Sequence, residues 1–292
     1  MAFCCTSMMS LWMGVALPST GYEKALSERA SLPKGWAVGT TTFPFSPAEA
    51  PAIDASMRLT LLVADEPTDS VAAVFTSNAL CGAPVTIGRR RIAGAAPLQA
   101  ILINNKISNV CAAGDGVGAS EALCATVGEL LELPGGGEAV LPASTGVIGW
   151  RLPVDEMVGA LPSAIAALQK DSLEPAARAI MTTDRYPKLR AASACGGRLV
   201  GIAKGAGMIE PNMATMLAFV LTDVDVPRAE LQAMLARAAQ VSFNCMSVDA
   251  DQSTSDTLAC ASSQLRPLPP GGATEFEAAL TMLCSELAAD VA

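Results

Sequence analysis

The sequence contains no histidine, and this absence excludes several common kinds of catalytic site. Serine–histidine–aspartate and cysteine–histidine arrangements both need an imidazole as the base, so neither can operate here. The nine cysteines are scattered without a Cys-x-x-Cys pair, and without histidine they do not predict a zinc site. We therefore expect no metal and interpret the cysteines as small apolar residues of a protein in a reducing compartment.

Charged and aromatic residues are also scarce, at 16% and 4% of the chain, and the net charge is -9. An acidic, aromatic-poor protein is poorly suited to the phosphate backbone, so we expect no nucleic-acid partner. The basic run at 89–91 is interpreted as a solvated loop. No apolar run reaches the roughly 18–20 residues of a membrane span, which argues against a membrane partner.

Apolar residues, in contrast, make up 51% of the 292 residues, which is enough for a large core in one or two domains. Short runs rich in Val, Ile and Leu alternate with segments of helical periodicity. This interleaving predicts an α/β or α+β fold. The predicted strands are 59–63, 71–76, 99–104 and 138–142, and the predicted helices are 120–133, 154–170, 227–241 and 274–291.

The N-terminal segment 1–22 carries no charged side chain, which leaves its role open. It has a weak apolar stretch but no basic region before it, so a secretory signal is not favoured. It is either an organelle leader or a plain N-terminal tail. A leader would place this intracellular protein in a mitochondrion or plastid, and a tail would leave it in the cytoplasm.

Three stretches each allow a structural and a chemical interpretation. Residues 143–149, "ASTGVIG", form either a tight turn or a backbone and hydroxyl donor set aimed at an oxyanion. Thr215 is either a β-branched core residue or a nucleophile. Residues 248–256, "VDADQSTSD", lack the glycine and glutamate of a calcium loop, so we predict a turn whose side chains bond its own backbone.

Taken together, five segments resemble the ornithine acetyltransferase family, the bifunctional glutamate N-acetyltransferases of arginine biosynthesis. The resemblance runs from about residue 33 to the end, and it implies an α/β (α+β) sandwich of stacked sheets flanked by helices. Residues 1–32 would be a tail or leader before this domain of 33–292. The matching segments are "VFTSN…APV" (74–85), "ASTGVIG" (143–149), "AIMTTDRYPK" (179–188), "AKGAGMIEPNMATMLAF" (203–219) and "SFNCMSVDADQSTSDT" (242–257).

The resemblance also implies a chemistry that needs no histidine. Family members cut their own chain before a threonine, which here is the Ala214–Thr215 bond, giving an α chain to 214 and a β chain from 215. The α-amine of the new N-terminal Thr215 has an ordinary pKa of about 7.7–8.0 and can serve as the base. Thr215 would carry acetyl from N-acetylornithine to glutamate. Acetyl-CoA could be a further acetyl donor, and no cofactor is implied.

Further residues take roles from the same resemblance. Thr145 and Gly146 would line the oxyanion hole, and Thr182, Lys204 and Thr215 would contact substrate. Members are assemblies of the cleaved chains, so the expected form is a heterotetramer of two α and two β chains.

The chain departs from the family pattern at several places. In "NNKISNVC" (104–111) Lys106 replaces a glycine and Ile107 an asparagine, and a positive φ at residue 106 would strain a lysine. The corner at 248–256 differs at Ala250, Gln252 and Ser255. The chain also stops before the family's substrate-binding glutamate, so we expect a C-terminally truncated member. Two alternatives remain open: a non-catalytic truncated relative, and an N-terminal-nucleophile amidase or aminopeptidase.

Overall fold

A computed structural model describes residues 20–94, 96–206, 216–247 and 252–292. Nine strands and seven α-helices lie in these ranges. The strands are β1 Trp36–Phe45, β2 Ala55–Thr68, β3 Val71–Phe75, β4 Leu98–Asn104, β5 Val140–Ser144, β6 Lys188–Ala194, β7 Gly197–Lys204, β8 Leu217–Asp225 and β9 Thr257–Pro267. The helices are α1 Thr20–Arg29, α2 Ala83–Gly94, α3 Gly116–Leu130, α4 Val154–Ala166, α5 Glu174–Ala179, α6 Arg228–Val241 and α7 Ala273–Val291.

The strands form two sheets, as the resemblance implies. One sheet has the order β1-β2-β4-β5, and the other has the order β3-β9-β8-β7-β6. The sheets pack face to face, with α3 and α4 on the outer face of the first and α6 and α7 on the outer face of the second. The expected α/β sandwich of stacked sheets flanked by helices is therefore confirmed.

The alternation of side chains along β2 and β8 explains this layering. On β2, Leu59 and Leu61 pack towards α3 and α4, whereas Leu62 faces the other sheet. On β8, Phe219 faces the other sheet and Val220 packs towards α6 and α7. Successive residues of a strand point to opposite faces, so strands buried on both faces must be apolar throughout.

Two parallel pairs of strands determine where the site lies. β4 and β5 are parallel and joined through α3, so both end at one edge of their sheet, with Asn104 opposite Ser144. β8 and β9 are parallel and joined through α6, and Leu217 lies between Lys204 and Thr257. The two sheets bring these strand ends together at one edge of the sandwich.

The sequence predictions match four of the described strands, β2 to β5, and four of the described helices, α3, α4, α6 and α7, but one assignment is wrong. The basic run at 89–91 is not a solvated loop: it belongs to α2, and Arg91 is only 4% exposed. Its guanidinium lies 2.5 Å from the carboxylate of Glu121. The long aliphatic stem of an arginine allows it to lie on the apolar side of a helix when its charge is paired.

Other segments differ from the prediction in extent. The predicted strand at 138–142 begins only at Val140, because 136–139 form a short 3-10 helix. Part of the predicted tail 1–32 is the helix α1, whose Leu26 is buried, while residues 1–19 lie outside the described residues. No helix in the described ranges has the length and apolar character needed to cross a bilayer.

Candidate active site

A cleft of about 760 Å³ opens at the edge where the strand ends meet. This volume is in the range of sites that bind small molecules. Its described lining includes three cationic residues, Arg58, Lys106 and Lys204, and no carboxylate. The lining is otherwise hydroxyl, amide, glycine and aliphatic groups, among them Thr145, Gly146 and Thr182. The cleft is therefore suited to an anionic ligand.

The predicted residues Thr145 and Lys204 meet in a direct hydrogen bond. Lys204 ends β7, Thr145 follows β5, and the ammonium Nζ donates to the Thr145 hydroxyl oxygen. Both residues are buried, at 1% and 2% exposure. Burial lowers the pKa of Lys204 to about 8, although the carboxylates of Asp184 and Asp256 act in the opposite direction. Below that pH Lys204 is a cation that can only donate, so the Thr145 hydroxyl is free to donate its own proton elsewhere.

Gly146 has a positive φ and lies too close to the backbone of Lys106 for a residue with a Cβ atom. Its φ is +130°, and a Cβ atom added there would lie 2.1 Å from the carbonyl carbon of Lys106. The two segments are joined by a hydrogen bond of 2.8 Å from the Val147 amide to the Lys106 carbonyl. Only glycine allows the turn after β5 to approach the turn after β4 so closely.

Lys106 has the positive φ that we expected to strain a lysine at this position. Its φ is +76°, in the left-handed region that disfavours residues with a Cβ atom. Ile107, the other residue that departs from the family pattern in this turn, is fully buried. The turn is further held by Asn104, whose side-chain amide donates to the Ile107 carbonyl at 2.8 Å. The turn therefore holds a lysine with a strained backbone at the cleft.

Thr182 is positioned by a carboxylate that sequence reasoning left without a role. The Thr182 amide donates to Asp184 at 3.0 Å, and the Gly205 amide donates to the same carboxylate at 2.7 Å. The Lys188 ammonium completes the set at 2.5 Å and also donates to the Gly205 carbonyl at 2.9 Å. Asp184 thus ties the loop carrying Thr182 to the end of β7.

Electrostatics favour the charged form of Asp184. The side chains of Asp184 and Lys188 are 0% and 3% exposed. Burial works against the Asp184 carboxylate, but Lys188 and the two amide donors outweigh it, and its pKa lies below the ordinary value. The only sequence signal for a role of Asp184 was its position two residues after Thr182, within the segment 179–188.

The remaining predicted residues cannot be compared in the same way. Ala214 and Thr215 lie outside the described residues, as does Ala250, so the cleavage site and nucleophile stay predictions. Met216, the next residue along the chain, is described and is 1% exposed. The turn predicted at 248–256 is described from residue 252, and there the Ser255 amide donates to the Ser253 hydroxyl at 3.1 Å, as expected.

Comparisons with known sequences point to one family. A model of the ArgJ family matches residues 50–292. The chain is 44% identical over 237 residues to the arginine biosynthesis bifunctional protein ArgJ of Methylococcus capsulatus, covering 78% of this chain and 57% of that protein. It is 37% identical over 230 residues to the corresponding ArgJ 2 of Clostridium acetobutylicum, covering 79% and 58%. The chain thus spans less than two thirds of the length of these relatives.

Solved structures give the same fold. The ornithine acetyltransferase of Mycobacterium tuberculosis, crystallised with ornithine, is 25% identical and has a TM-score of 0.50, covering 63% of this chain and 95% of that chain. The L-aminopeptidase D-Ala-esterase/amidase of Ochrobactrum anthropi has a TM-score of 0.54 at 10% identity, covering 91% and 85%. The second likeness concerns the fold alone.

The close approach of Gly146 to Lys106 predicts a specific sensitivity. Gly146→Ala should lower the free energy of unfolding by at least about 2 kcal/mol more than Gly149→Ala, because only the first Cβ meets backbone. Gly149 is a matched control, since its φ is +89° and nothing lies within 4 Å of an added Cβ. Urea unfolding of both variants measures the difference, and equal losses would show that the contact is not restrictive.

The left-handed backbone at Lys106 predicts a difference between two truncations. Lys106→Gly should be more stable than Lys106→Ala by about 1 kcal/mol, because glycine relieves left-handed strain of roughly 1–2 kcal/mol and loses part of this to unfolded-state entropy. Both variants remove the same charge, so the comparison isolates the backbone. Thermal unfolding measures it, and an alanine variant as stable as the glycine variant would contradict the assigned strain.

Proposed function

This chain belongs to the ArgJ family, and we propose that it transfers acetyl from N2-acetylornithine to glutamate through an acetyl ester on Thr215. One observation carries the proposal: the buried contact between Lys204 and Thr145 lines a cleft with cationic residues, and Lys204 pairs with Leu217 at the start of β8. This arrangement supports Thr145 as an oxyanion donor, because it lies near the strand that follows the predicted nucleophile in the chain.

The first step proposed is self-cleavage. The Thr215 hydroxyl attacks the Ala214 carbonyl, the peptide C–N bond breaks, and an ester forms while the nitrogen of Thr215 becomes a free amine. Water then opens the ester and restores the hydroxyl. The product is an N-terminal threonine that holds nucleophile and base in one residue, which removes the need for histidine.

Acetyl transfer then follows in two halves. The Thr215 oxygen attacks the acetyl carbonyl of N2-acetylornithine, the α-amine accepts the hydroxyl proton, and that proton leaves with the ornithine amine. The glutamate amine reverses these steps and leaves as N-acetylglutamate. Both halves pass through a tetrahedral oxyanion, for which Thr145 and Gly146 are the proposed donors. Donation from Lys204 to Thr145 directs the remaining hydroxyl proton towards this charge.

Charge in the cleft supports the proposed substrates. Both amino acids carry a carboxylate, and the described lining offers Arg58, Lys106 and Lys204 without a competing acid. Arg58 donates to the backbone carbonyls of Arg178 and Met181 at 2.8 and 3.1 Å, so it is fixed in place. Thr182, held by Asp184, is the proposed hydroxyl contact. Acetyl-CoA as a further donor, and an assembly of two α and two β chains, belong to the same proposal.

Self-cleavage is the first expected outcome. The purified chain should give two fragments by intact mass, and N-terminal sequencing of the smaller should read Thr-Met-Leu-Ala. Thr215→Ala should remain uncut, because it has no hydroxyl, and Thr215→Ser should be cut.

The control and the opposing outcomes separate the alternatives. Thr126→Ala removes a hydroxyl of α3 that donates to the Ala122 carbonyl and does not line the cleft, so this variant should be cut like the wild type. With acetyl-labelled N2-acetylornithine, label should appear in N-acetylglutamate. Label found only in free acetate would indicate a hydrolase, and an uncut wild-type chain would indicate a non-catalytic relative.

The proposed oxyanion hole makes a second prediction. Thr145→Val should slow both self-cleavage and acetyl transfer by about 10²–10³-fold, because one donor to the oxyanion is lost. Thr145→Ser keeps the hydroxyl and should stay within about tenfold of the wild type, a margin that reflects only altered packing. Single-turnover rates measure the effect. A valine variant as fast as the serine variant would exclude Thr145 as a donor.

A further inference from the structure

Lys106 is a cation of the cleft that the mechanism above assigns to no particular group of either substrate. It is exposed, and it lines the cleft together with Arg58, Thr145 and Gly146. Its ammonium takes part in none of the ion pairs between described residues. Its charge is therefore not neutralised by a carboxylate of the described chain.

The backbone of Lys106 lies directly against the proposed oxyanion hole. Its carbonyl oxygen accepts the Val147 amide at 2.8 Å, and its carbonyl carbon would lie 2.1 Å from a Cβ atom at Gly146. The lysine side chain is a flexible four-carbon stem that ends in a compact positive charge. This charge is thus carried by a residue that adjoins the reacting end of the cleft.

Arg58 adds a second positive charge beside Lys106. The Arg58 amide donates to the side-chain oxygen of Asn105 at 2.7 Å, and the Asn105 amide donates to the Arg58 carbonyl at 3.2 Å. Lys106 is the next residue along the chain. The guanidinium of Arg58 bonds two backbone carbonyls, those of Arg178 and Met181, which carry no net charge. Two neighbouring cations in a lining without a described acid give the cleft a positive potential that attracts anions.

The strained backbone of Lys106 favours a role in binding over a role in the fold. Its φ of +76° costs free energy for any residue with a Cβ atom. An exposed ammonium without an ion-pair partner in the described chain does little to offset that cost. Strained residues cluster at sites that bind ligands, where they place a particular side chain.

The two amino acids of the proposed reaction differ in the charge at the end of the side chain. Both present an α-nitrogen and an α-carboxylate, and both react at the same nucleophile, so these shared groups occupy the same places in turn. Glutamate ends in a carboxylate, whereas ornithine ends in an ammonium. A cation at the side-chain end attracts the first and repels the second. Such a cation would distinguish the acyl acceptor from the departing amine by charge.

We propose that Lys106 determines the acceptor specificity of acetyl transfer, by binding the side-chain carboxylate of glutamate with its ammonium. This inference rests on the proposed function. Arg58 reinforces the attraction through its charge. No bond forms or breaks at Lys106, which donates a charge-assisted hydrogen bond to the distal end of the acceptor. That bond is weaker when the acceptor ends in an amide.

The test compares glutamate with glutamine, two acceptors of the same shape and different charge. In Lys106→Gln, kcat/KM for glutamate should fall about tenfold because a hydrogen bond to a charged group is lost, and that for glutamine should change by less than about twofold. Lys106→Arg keeps the charge and should keep the preference for glutamate. Both variants retain a Cβ atom, so the backbone strain is the same in each. Lys34→Gln is the matched control, because Lys34 is also an exposed lysine but does not line the cleft.

The pattern across the two acceptors separates recognition from structural damage. Damage to the cleft lowers kcat/KM for glutamate and glutamine alike, so an equal fall in Lys106→Gln overturns the role of Lys106 while leaving the proposed function in place. Lys34→Gln should leave both values unchanged. A loss of glutamate preference in Lys34→Gln as large as that in Lys106→Gln would also overturn the assignment.

Equilibrium binding tests the same carboxylate site without requiring self-cleavage or transfer. Isothermal titration of the wild type should show tighter binding of glutamate than of glutamine, and Lys106→Gln should remove most of that difference. If the wild type binds in this way but transfers no acetyl, the proposed function is wrong and the carboxylate site stands. Equal affinities of the wild type for glutamate and glutamine would overturn the site. Inorganic phosphate that binds more tightly than glutamate and displaces it would overturn the choice of a carboxylate ligand.

Discussion

The site depends on the hydrogen bond that the buried ammonium of Lys204 donates to the Thr145 hydroxyl. Lys204 ends β7 in one sheet and Thr145 directly follows β5 of the other, so their hydrogen bond joins the two sheets at the edge where the cleft opens. Further inside, the same interface is apolar, with Phe219 and Leu62 among its residues. A cation removed from water is costly unless it is bonded, so the position of Thr145 is fixed by the need to satisfy Lys204.

The polar residues around this contact contribute more to the geometry of the cleft than to the stability of the fold. The buried Asp184–Lys188 pair loses hydration that its mutual attraction only partly offsets, so such pairs are weak contributors to net stability. What the pair provides is a fixed relation between the loop of Thr182 and the end of β7. Lys106 is a second example, because its strained backbone lies at the cleft and costs stability.

The sandwich itself does not determine the chemistry. Its likeness to an aminopeptidase at 10% identity concerns the arrangement of sheets and helices. One fold hosts many reactions, and the reaction is decided by the residues placed on it. In this chain the residues proposed for that role are Thr145, Gly146 and Lys204, which meet at the cleft.

The sequence by itself determined the elements with strong local periodicity and the identity of the site motifs. The strands at 59–63 and 99–104 and the helix at 227–241 were predictable because their apolar residues recur at the period of a buried face. The segments containing Thr145, Thr182 and Lys204 were recognisable as motifs, and the positive φ at Lys106 was predictable from the glycine it replaces.

Only the tertiary structure decided how these parts meet. β1 and β6–β9 were not predicted, because strand formation depends on packing against neighbouring strands more than on local propensity. The burial of Arg91 depends on Glu121, and the contacts of Asp184 and Asp256 depend on Gly205 and Met216. Local sequence cannot specify such contacts, because they join residues that are distant along the chain and become neighbours only when the sheets pair and stack.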